Sequence, residues 1–575
     1  MKHSTRRFDI QKLFFAASAM ALAMATAFAQ PAPATPAVAD VCVYGGTASG
    51  VMAAVAAKRE GKSVIIVEPA RALGGMIGGG IQVNQDTRHP GDIGGLTRLM
   101  MEKDIEIGGE PHENQPKFRE ALAELVKKHG ITVLYHHRLG TIAKTGTKIE
   151  KLFLDYAPVE PDGCPAAKTQ KTGAFQVEAA VFIDASYEGD LMALAGVPYA
   201  VGREGRSEFN ESLAGQRNLK KFDLSPYVIP GDPKSGLLPM IDPEPFVEGG
   251  ASRHIMAYNF RPRWVPAGQG AKVGAPSHYD PANYELVLRA LRSHPEYVGW
   301  PSANYARGTL ISGGIPGRQS DYPDGTWEVR SKIWREWIDH VKIMHQLTGS
   351  TQELKKGEYP DSVNDFPDQL YVRLGRRMRG EYVITQHDLM LQTDVEDSIG
   401  LGYGWVGWTD IYPTRIIATA DGKVATEGES NATITPGPYR ISYRAMVPKA
   451  QSCTNLIVPV CASSTHIAMS SIRMEGTWML MGESAGIAAA QSLSEKVTVQ
   501  KIDQGKYSAR LRQVGQILEW DGTGYGGGAS AWWNKHPEDY QRHPVATLLK
   551  GPRGESEFVK RVEADQRGNP GKAVD

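Results

Sequence analysis

Cysteine is scarce: Cys42, Cys164, Cys453 and Cys461 are the four among 575 residues. So few exclude a disulfide scaffold. No Cys or His spacing resembles a zinc site, and no metal is expected. Cys42 falls inside an apolar run, and Cys453 and Cys461 flank the run Leu456–Val460, so all read as buried thiols. An excess of one charge is also lacking. Lys plus Arg and Asp plus Glu both number 64, which leaves no global pull toward nucleic acid or an acidic membrane. There is no internal repeat. Long apolar runs are missing too, and the one near the N-terminus is too short and Ala-rich for a membrane span, so no stable membrane anchor is expected.

That N-terminal run has its own meaning. Arg6 and Arg7 precede Leu13–Ala17 and a stretch of Ala, Met and Leu, which closes on Ala27-Phe28-Ala29. A charged region, an apolar region and a small-x-small site predict a signal peptide over residues 1–29, cut after Ala29. Thr5-Arg6-Arg7-Phe8 resembles a twin-arginine export signal, which moves folded proteins, although Asp9 stands where the pattern prefers an apolar residue. A periplasmic or secreted protein is expected. A Pro/Ala-rich leader follows to the first strand. With 41% hydrophobic residues the chain can build a large core, and its length suggests more than one domain.

The stretch "VCVYGGTASG", residues 41–50, nearly spells a dinucleotide-binding turn. Val41–Tyr44 reads as a buried strand, Thr47–Arg59 as an Ala-rich helix stopped by Gly61, and Ser63–Val67 as a second strand ending at Glu68. The acid sits 23 residues after Gly45, close to where a ribose-binding carboxylate belongs. Gly45 makes the tight turn, Gly50 lets helix and strand pack, and the helix N-terminus, with Gly46 and Ser49, presents N–H groups to a pyrophosphate. Thr47 replaces the middle glycine, and its hydroxyl is suited to bond a phosphate oxygen. Arg71 can reach the adenosine side, and the glycines around Gly74, Gly75 and Met76 let backbone lie along a long cofactor. That favours FAD over NAD. So does export, since no pool of diffusible NAD exists outside the cytoplasm.

Four segments resemble the FAD-dependent oxidoreductases of the glutathione-reductase-like superfamily, over about residues 40–515. They are "VYGGTASGVMAAVAAKREGKSVIIVEPARALGGM", "FIDASYEGDLMALAGVPYAVGREG", "FPDQLYVRLGRRMRGEYVITQHDL" and residues 438–493, which contain "SCTNLIVPVCASSTHIAMSSIRMEGTWMLMGESAGIAAAQSL". In this group Thr at the middle position is normal. The resemblance implies an α/β fold: a Rossmann-like, discontinuous FAD-binding domain over 40–205 and 415–505, with an inserted α+β substrate domain over 206–414. A C-terminal extension, 506–575, is expected to be partly disordered.

The same likeness places Ala185 where the chain crosses the cofactor, with Glu188 and Asp190 as polar contacts or, for Asp190, a helix cap. Gly482, Ala485, Gly486 and Ala489 make a small-residue stripe on the last long helix, fit to pack on a sheet or on the cofactor. Arg444 and Arg473 lie in the flavin-facing segment. Three histidines are candidate bases: His466 foremost, then His387 and His254. The family often carries a histidine before an arginine near residues 408–415; here Tyr412 takes that place, so a proton-transfer role there is either lost or passes to a phenol. Arg373, Arg376 and Arg377 share a face at helical spacing and could clamp a carboxylate or pair with acids between domains. Tyr258 and Arg261 join Arg373 and Arg377 as substrate contacts. Trp264, Trp300, Trp327, Trp334, Trp337, Trp405 and Trp408 suit sugar rings or flat organics, with core packing as the commoner role.

The leading expectation is an FAD-dependent dehydrogenase or oxidase. It takes hydride from a small sugar, glycoside or hydroxy acid and passes electrons to a quinone, a cytochrome or O2. The alternatives are a flavin-dependent reductase of an unsaturated acid, and a non-enzymatic binding protein with a vestigial flavin fold.

Overall fold

Why this chain makes a parallel sheet is visible in its first strand. In the computed structural model β1 (Ala37–Tyr44) has Val41–Tyr44 buried on both faces, as a central parallel strand requires. It pairs in parallel with β2 (Val64–Glu68), which pairs with β3 (Thr132–Tyr135). On its other side β1 runs parallel to the long β6 (Lys171–Asp184). β4 (His137–Thr145) and β5 (Lys148–Tyr156) form an antiparallel hairpin joined to the first half of β6. The last strand of this sheet, β7 (Leu456–Ile457), comes from far along the chain and pairs in parallel with Phe182 and Ile183. The sheet is therefore assembled from two distant parts of the sequence. The structure describes residues 36–520 apart from 82–92, 107–114, 302–305, 307, 360–361, 363–364, 392–393, 403, 405–411 and 429–437. The expected signal peptide, most of the C-terminal extension, Trp405 and Trp408 lie outside the described residues.

Two helices pack on this sheet and on each other. α1 (Ala48–Arg59) is capped by the Thr47 hydroxyl and ends with Lys58 and Arg59 at its negative pole. The partner is the helix Glu475–Glu495, buried along nearly its whole length. Their backbones touch: a Cβ on Gly482 would lie 2.1 Å from the Ser49 carbonyl oxygen, and one on Gly486 would lie 2.2 Å from that of Ala53. The small-residue stripe thus serves helix–helix packing.

The middle of the chain carries short sheets, the long helix Trp327–Leu347 and its own apolar clusters. Strands Arg415–Ala418 and Val424–Glu427 pair with each other and with Leu219–Phe222. Residues 415–427 thus share a three-stranded sheet with Leu219–Phe222. All four cysteines are free and buried. Among the described residues no helix is long and apolar enough to cross a membrane.

Candidate active site

The glycine turn is fixed from three sides. Gly45 has φ +93°, which an L side chain rarely adopts, and a Cβ there would lie 2.7 Å from the Ser186 nitrogen. Its N–H donates to the Val67 carbonyl at 2.8 Å. Gly46 N–H donates to the Glu68 carboxylate at 2.5 Å, and Ala70 N–H donates to its other oxygen at 2.6 Å. Burial pushes Glu68 up to about 7, against the pull of these two bonds. The Thr47 hydroxyl accepts from Gly50 N–H at 3.1 Å and donates to the Ala185 carbonyl at 2.8 Å. It ties the turn to Ala185, the residue after β6, so its proton is engaged and the expected phosphate bond from this hydroxyl is not free to form. Ala185 sits beneath the turn, close to where a Cβ on Gly50 would be, while its neighbour Ser186 lines the cleft.

That cleft, open to solvent, spans about 980 Å³. It runs from Glu68 and Arg71 past Gly45 and Thr47 to Gly75, Gly79 and Tyr187. Arg71 and Arg119 both pair with Asp368, and Arg138 donates to the Ala166 carbonyl at 2.6 Å while lying over the Trp327 ring. Trp334 joins Trp327 in the wall, whereas Trp337 is core and donates to the Tyr258 carbonyl. Arg119, Arg138, Asp368 and Tyr187 escaped the sequence reading because each arrives from a separate segment. The residues fit FAD: a bare-backbone turn opens a buried helix, a carboxylate closes the second strand, and an elongated cleft passes both.

Beyond the glycine cluster the backbone narrows. Gly74 and Gly75 start the short helix Gly75–Gly79, and Met76 N–H donates to the Tyr187 hydroxyl at 2.9 Å. Tyr187 in turn donates to Glu475 at 2.9 Å. Glu475 opens its helix wholly buried; its other oxygen has no hydrogen-bond partner among the described residues, and burial pushes the carboxyl up to about 8. Met76, Gly80, Ile81, Arg261, Gln369 and Tyr371 line a second, narrow crevice too tight for a water-sized sphere, and Gln369 borders both spaces. Arg261 and Arg373 lie over the Tyr371 ring, Arg473 donates to its hydroxyl, and Tyr412 flanks Arg373.

The arginines expected on one helical face are dispersed, because residues 371–378 form no helix: a bridge at Tyr371 and an irregular stretch lead into the short strand Arg377–Met378. Strand backbone sends neighbours to opposite sides. Arg376 pairs with Asp190 and Asp324, and Arg377 pairs with Glu204 at 2.8 Å, fully buried. Arg377 is thus a structural ion-pair partner, and Arg373 lies over the Tyr371 ring and donates to the Ala257 carbonyl. Asp190 is claimed by Arg330 and Arg376, and Asp184 accepts the Met192 N–H in the capping role. Tyr258 is core, its hydroxyl donating to the Leu374 carbonyl at 2.5 Å. His387 donates to the Phe209 carbonyl, away from both cavities. His254 sits 2.7 Å from Asp242, near Glu244, in a group already served by Arg415. Arg444 pairs with Asp397 at the surface. Ser49, Gly482 and Ala485 belong to the interface of α1 with the last long helix, where Ser49 Oγ is buried against Gly482.

His466 opens the helix His466–Ile472 and is fully buried. Its Nδ1 donates to Glu204 at 2.7 Å, and Glu204 also meets Arg377 and Arg379. Burial opposes ionisation of Glu204, but the Arg377 guanidinium and the His466 imidazole together outweigh it and hold the carboxylate well below the ordinary range. A permanent carboxylate on Nδ1 sets the tautomer, directing the basic lone pair to Nε2. The helix ends at its C-cap Arg473, which donates to the Tyr371 hydroxyl at 2.9 Å.

Among solved structures, the chain is similar to a geranylgeranyl bacteriochlorophyll reductase-like protein from Thermoplasma acidophilum, with 17% identity over 28% of this chain and 43% of that one, TM-score 0.19. It is also similar to THI4 from Thermovibrio ammonificans, with 15% identity over 35% of this chain and 76% of that one, TM-score 0.20. A flavoprotein/dehydrogenase from Cytophaga hutchinsonii matches at 18% identity over 28% of this chain and 42% of that one, TM-score 0.20. The chain thus spans less than half the length of the first and third of these. No curated protein matches it. A model of the FAD dependent oxidoreductase family matches residues 40–514, covering both parts of the sheet and everything between them. The chain belongs to the FAD-dependent oxidoreductase family, and FAD is its cofactor.

Proposed function

We propose that this oxidoreductase is exported and removes a hydride from a small polar substrate, a hydroxy acid, sugar or glycoside. Its electrons then pass to a quinone, a cytochrome or O2. FAD, when bound, supplies the two-electron acceptor. The observation that carries this reading is the His466–Glu204 pair at 2.7 Å. An imidazole whose tautomer is set by a buried carboxylate is suited to take a hydroxyl proton at Nε2. Arg377 and Arg379 keep Glu204 ionised, so the carboxylate orients the ring and does not compete for the proton. The helix that His466 opens ends at Arg473, which donates to the Tyr371 hydroxyl beside the residues that border the cofactor cleft.

The test is anaerobic addition of hydroxy acids, sugars and polyols to the FAD-loaded protein. One class of donor should bleach the oxidised flavin in the wild type and fail to do so in His466→Ala. Bleaching that survives in the variant would remove His466 as the base. A second reading, reduction of an unsaturated acid, is favoured by the convergence of Arg261, Arg373 and Arg473 on Tyr371. It prevails if no donor bleaches the flavin and a reduced dye is consumed only with an unsaturated acid.

A further inference from the structure

We propose that Asp242, Glu244 and His254 form a binding site for one divalent transition-metal ion, with zinc the best match to its ligands. None of the three lines the cofactor cleft, so the site is separate from the chemistry of the flavin.

Backbone bonds place the ligands. Asp242 N–H donates to the Ile416 carbonyl at 2.7 Å, which fixes this residue against the strand Arg415–Ala418. Glu244 N–H donates to Asp242 Oδ1 at 2.8 Å, so the two acids share one bend. His254 arrives from ten residues further on and is only 2% exposed. One oxygen of each acid and one nitrogen of the imidazole lie within 4.8 Å of one another. His254 Nε2 is 2.7 Å from Asp242 Oδ2 and 3.5 Å from Glu244 Oε2.

The imidazole is what points to an ion. Its Nε2 is buried and makes no hydrogen bond among the described residues. Asp242 Oδ2 is near enough for one but lies off the ring N–H direction. A nitrogen and an oxygen that approach so closely without a shared proton suit a third atom between them. The other ring nitrogen, Nδ1, is 3.2 Å from Ser320 Oγ. A proton held on Nδ1 by that hydroxyl leaves a bare lone pair at Nε2, the tautomer that a metal takes. The acids are oriented as well. Arg415 Nη1 donates to Asp242 Oδ1 at 3.3 Å and to the Glu244 carbonyl at 2.9 Å. Its charge is directed at atoms that take no part in the site, and Glu427 at 3.5 Å offsets it. Among the described residues no lysine or arginine pairs with the Glu244 carboxylate, which stays turned to His254.

The distances fit a small ion. With bonds of about 2.0–2.2 Å, tetrahedral ligands stand roughly 3.3–3.6 Å apart. The edge from His254 to Glu244 already has that length, and the edge from His254 to Asp242 needs to open by roughly 0.7 Å. Glu244 is half-exposed, which leaves a solvent side for entry of the ion and for water as the fourth ligand. The sequence shows none of this, because two acids and a single distant histidine match no zinc spacing.

The probe is Zn²⁺, added to the FAD-loaded full chain after dialysis against a chelator and followed by calorimetry. One ion per chain should bind. X-ray absorption at the zinc edge should show nitrogen and oxygen neighbours and no sulfur. Glu244→Ala, at a half-exposed position, should keep its FAD and bind Zn²⁺ at least roughly tenfold more weakly. Asp242→Asn keeps an oxygen for Arg415 and removes the charge; it should weaken Zn²⁺ similarly, and it serves if Glu244→Ala does not fold. Because the three ligands come together only in the folded chain, Zn²⁺ should raise the Tm of the wild type and leave that of Glu244→Ala unmoved. Absence of binding, sulfur in the first shell, or equal binding by both variants overturns the proposal, the last by assigning the ion to other side chains.

Discussion

Replacing Glu475 by glutamine should change how stability depends on pH, and by a large amount for one atom pair. The carboxyl is wholly buried, its hydrogen bond comes from Tyr187, and burial pushes it up to about 8 from 4.5. The folded protein therefore holds a proton that the unfolded chain releases once the pH passes 4.5. A raised folded pKa stabilises fully below the unfolded value, and the contribution fades as pH climbs toward the folded value. The displacement corresponds to roughly 5 kcal/mol between about pH 4.5 and about pH 8. Water entry or rotation of Tyr187 would reduce it. The amide of the variant has nothing to titrate and still accepts from Tyr187. Urea midpoints and slopes measured from about pH 5 to about pH 8.5 should show wild type losing stability relative to Glu475→Gln as the pH rises. Glu68, Glu211 and Glu483 are raised to about 7 and Asp184 to about 6, so both proteins should weaken with pH; the difference between them isolates Glu475. Parallel curves would show that the carboxyl is solvated or ionised throughout, and the buried Tyr187–Glu475 link would be wrong.

Glu68→Gln should leave the fold intact and weaken FAD binding by roughly tenfold to a hundredfold, the worth of one or two charge-assisted bonds, measured by equilibrium dialysis. Gly482→Ala places a Cβ 2.1 Å from the Ser49 carbonyl oxygen and should cost about 1–3 kcal/mol or more, seen as a lower urea midpoint. Glu204→Gln leaves Arg377 buried beside an amide and should cost about 3–5 kcal/mol. Wild-type stability in both cases marks the packing or the ion pair as unimportant. His466→Ala should keep FAD and slow flavin reduction by roughly 100-fold or more in a stopped-flow assay; unchanged reduction rules out the base.

The nucleotide half of the site was legible because its physics is local. A strand, a turn that only glycine can make, a capped Ala-rich helix and an acid at the next strand's end occupy contiguous residues, and the structure returns them nearly in place: Ala48–Arg59 for the helix and Val64–Glu68 for the strand. Even there the side-chain partners were not legible. Spacing identifies Thr47 as unusual, but only the closeness of Ala185, 138 residues on, shows that its hydroxyl faces the sheet. The small stripe at Gly482 likewise announces close approach without naming the partner, and α1 takes it.

The arginines show the limit most clearly. Arg373, Arg376 and Arg377 have helical spacing, yet periodicity identifies a helix only when burial supports one face. Each of these arginines is satisfied by a different distant group: Tyr371 and the Ala257 carbonyl, the acids Asp190 and Asp324, and Glu204. Three buried cations on one helical turn would need three acids on one surface. A non-helical segment distributes them instead, and Gly375 lets it pass against the Tyr187 carbonyl, where a Cβ would stand 2.3 Å from the oxygen. Backbone geometry thus decides which partner each arginine meets: Arg377 pairs with Glu204, which also holds His466, while Arg373 joins Arg261 and Arg473 around Tyr371. Neighbours four residues apart thereby enter two different environments, a buried ion-pair network and an aromatic cluster.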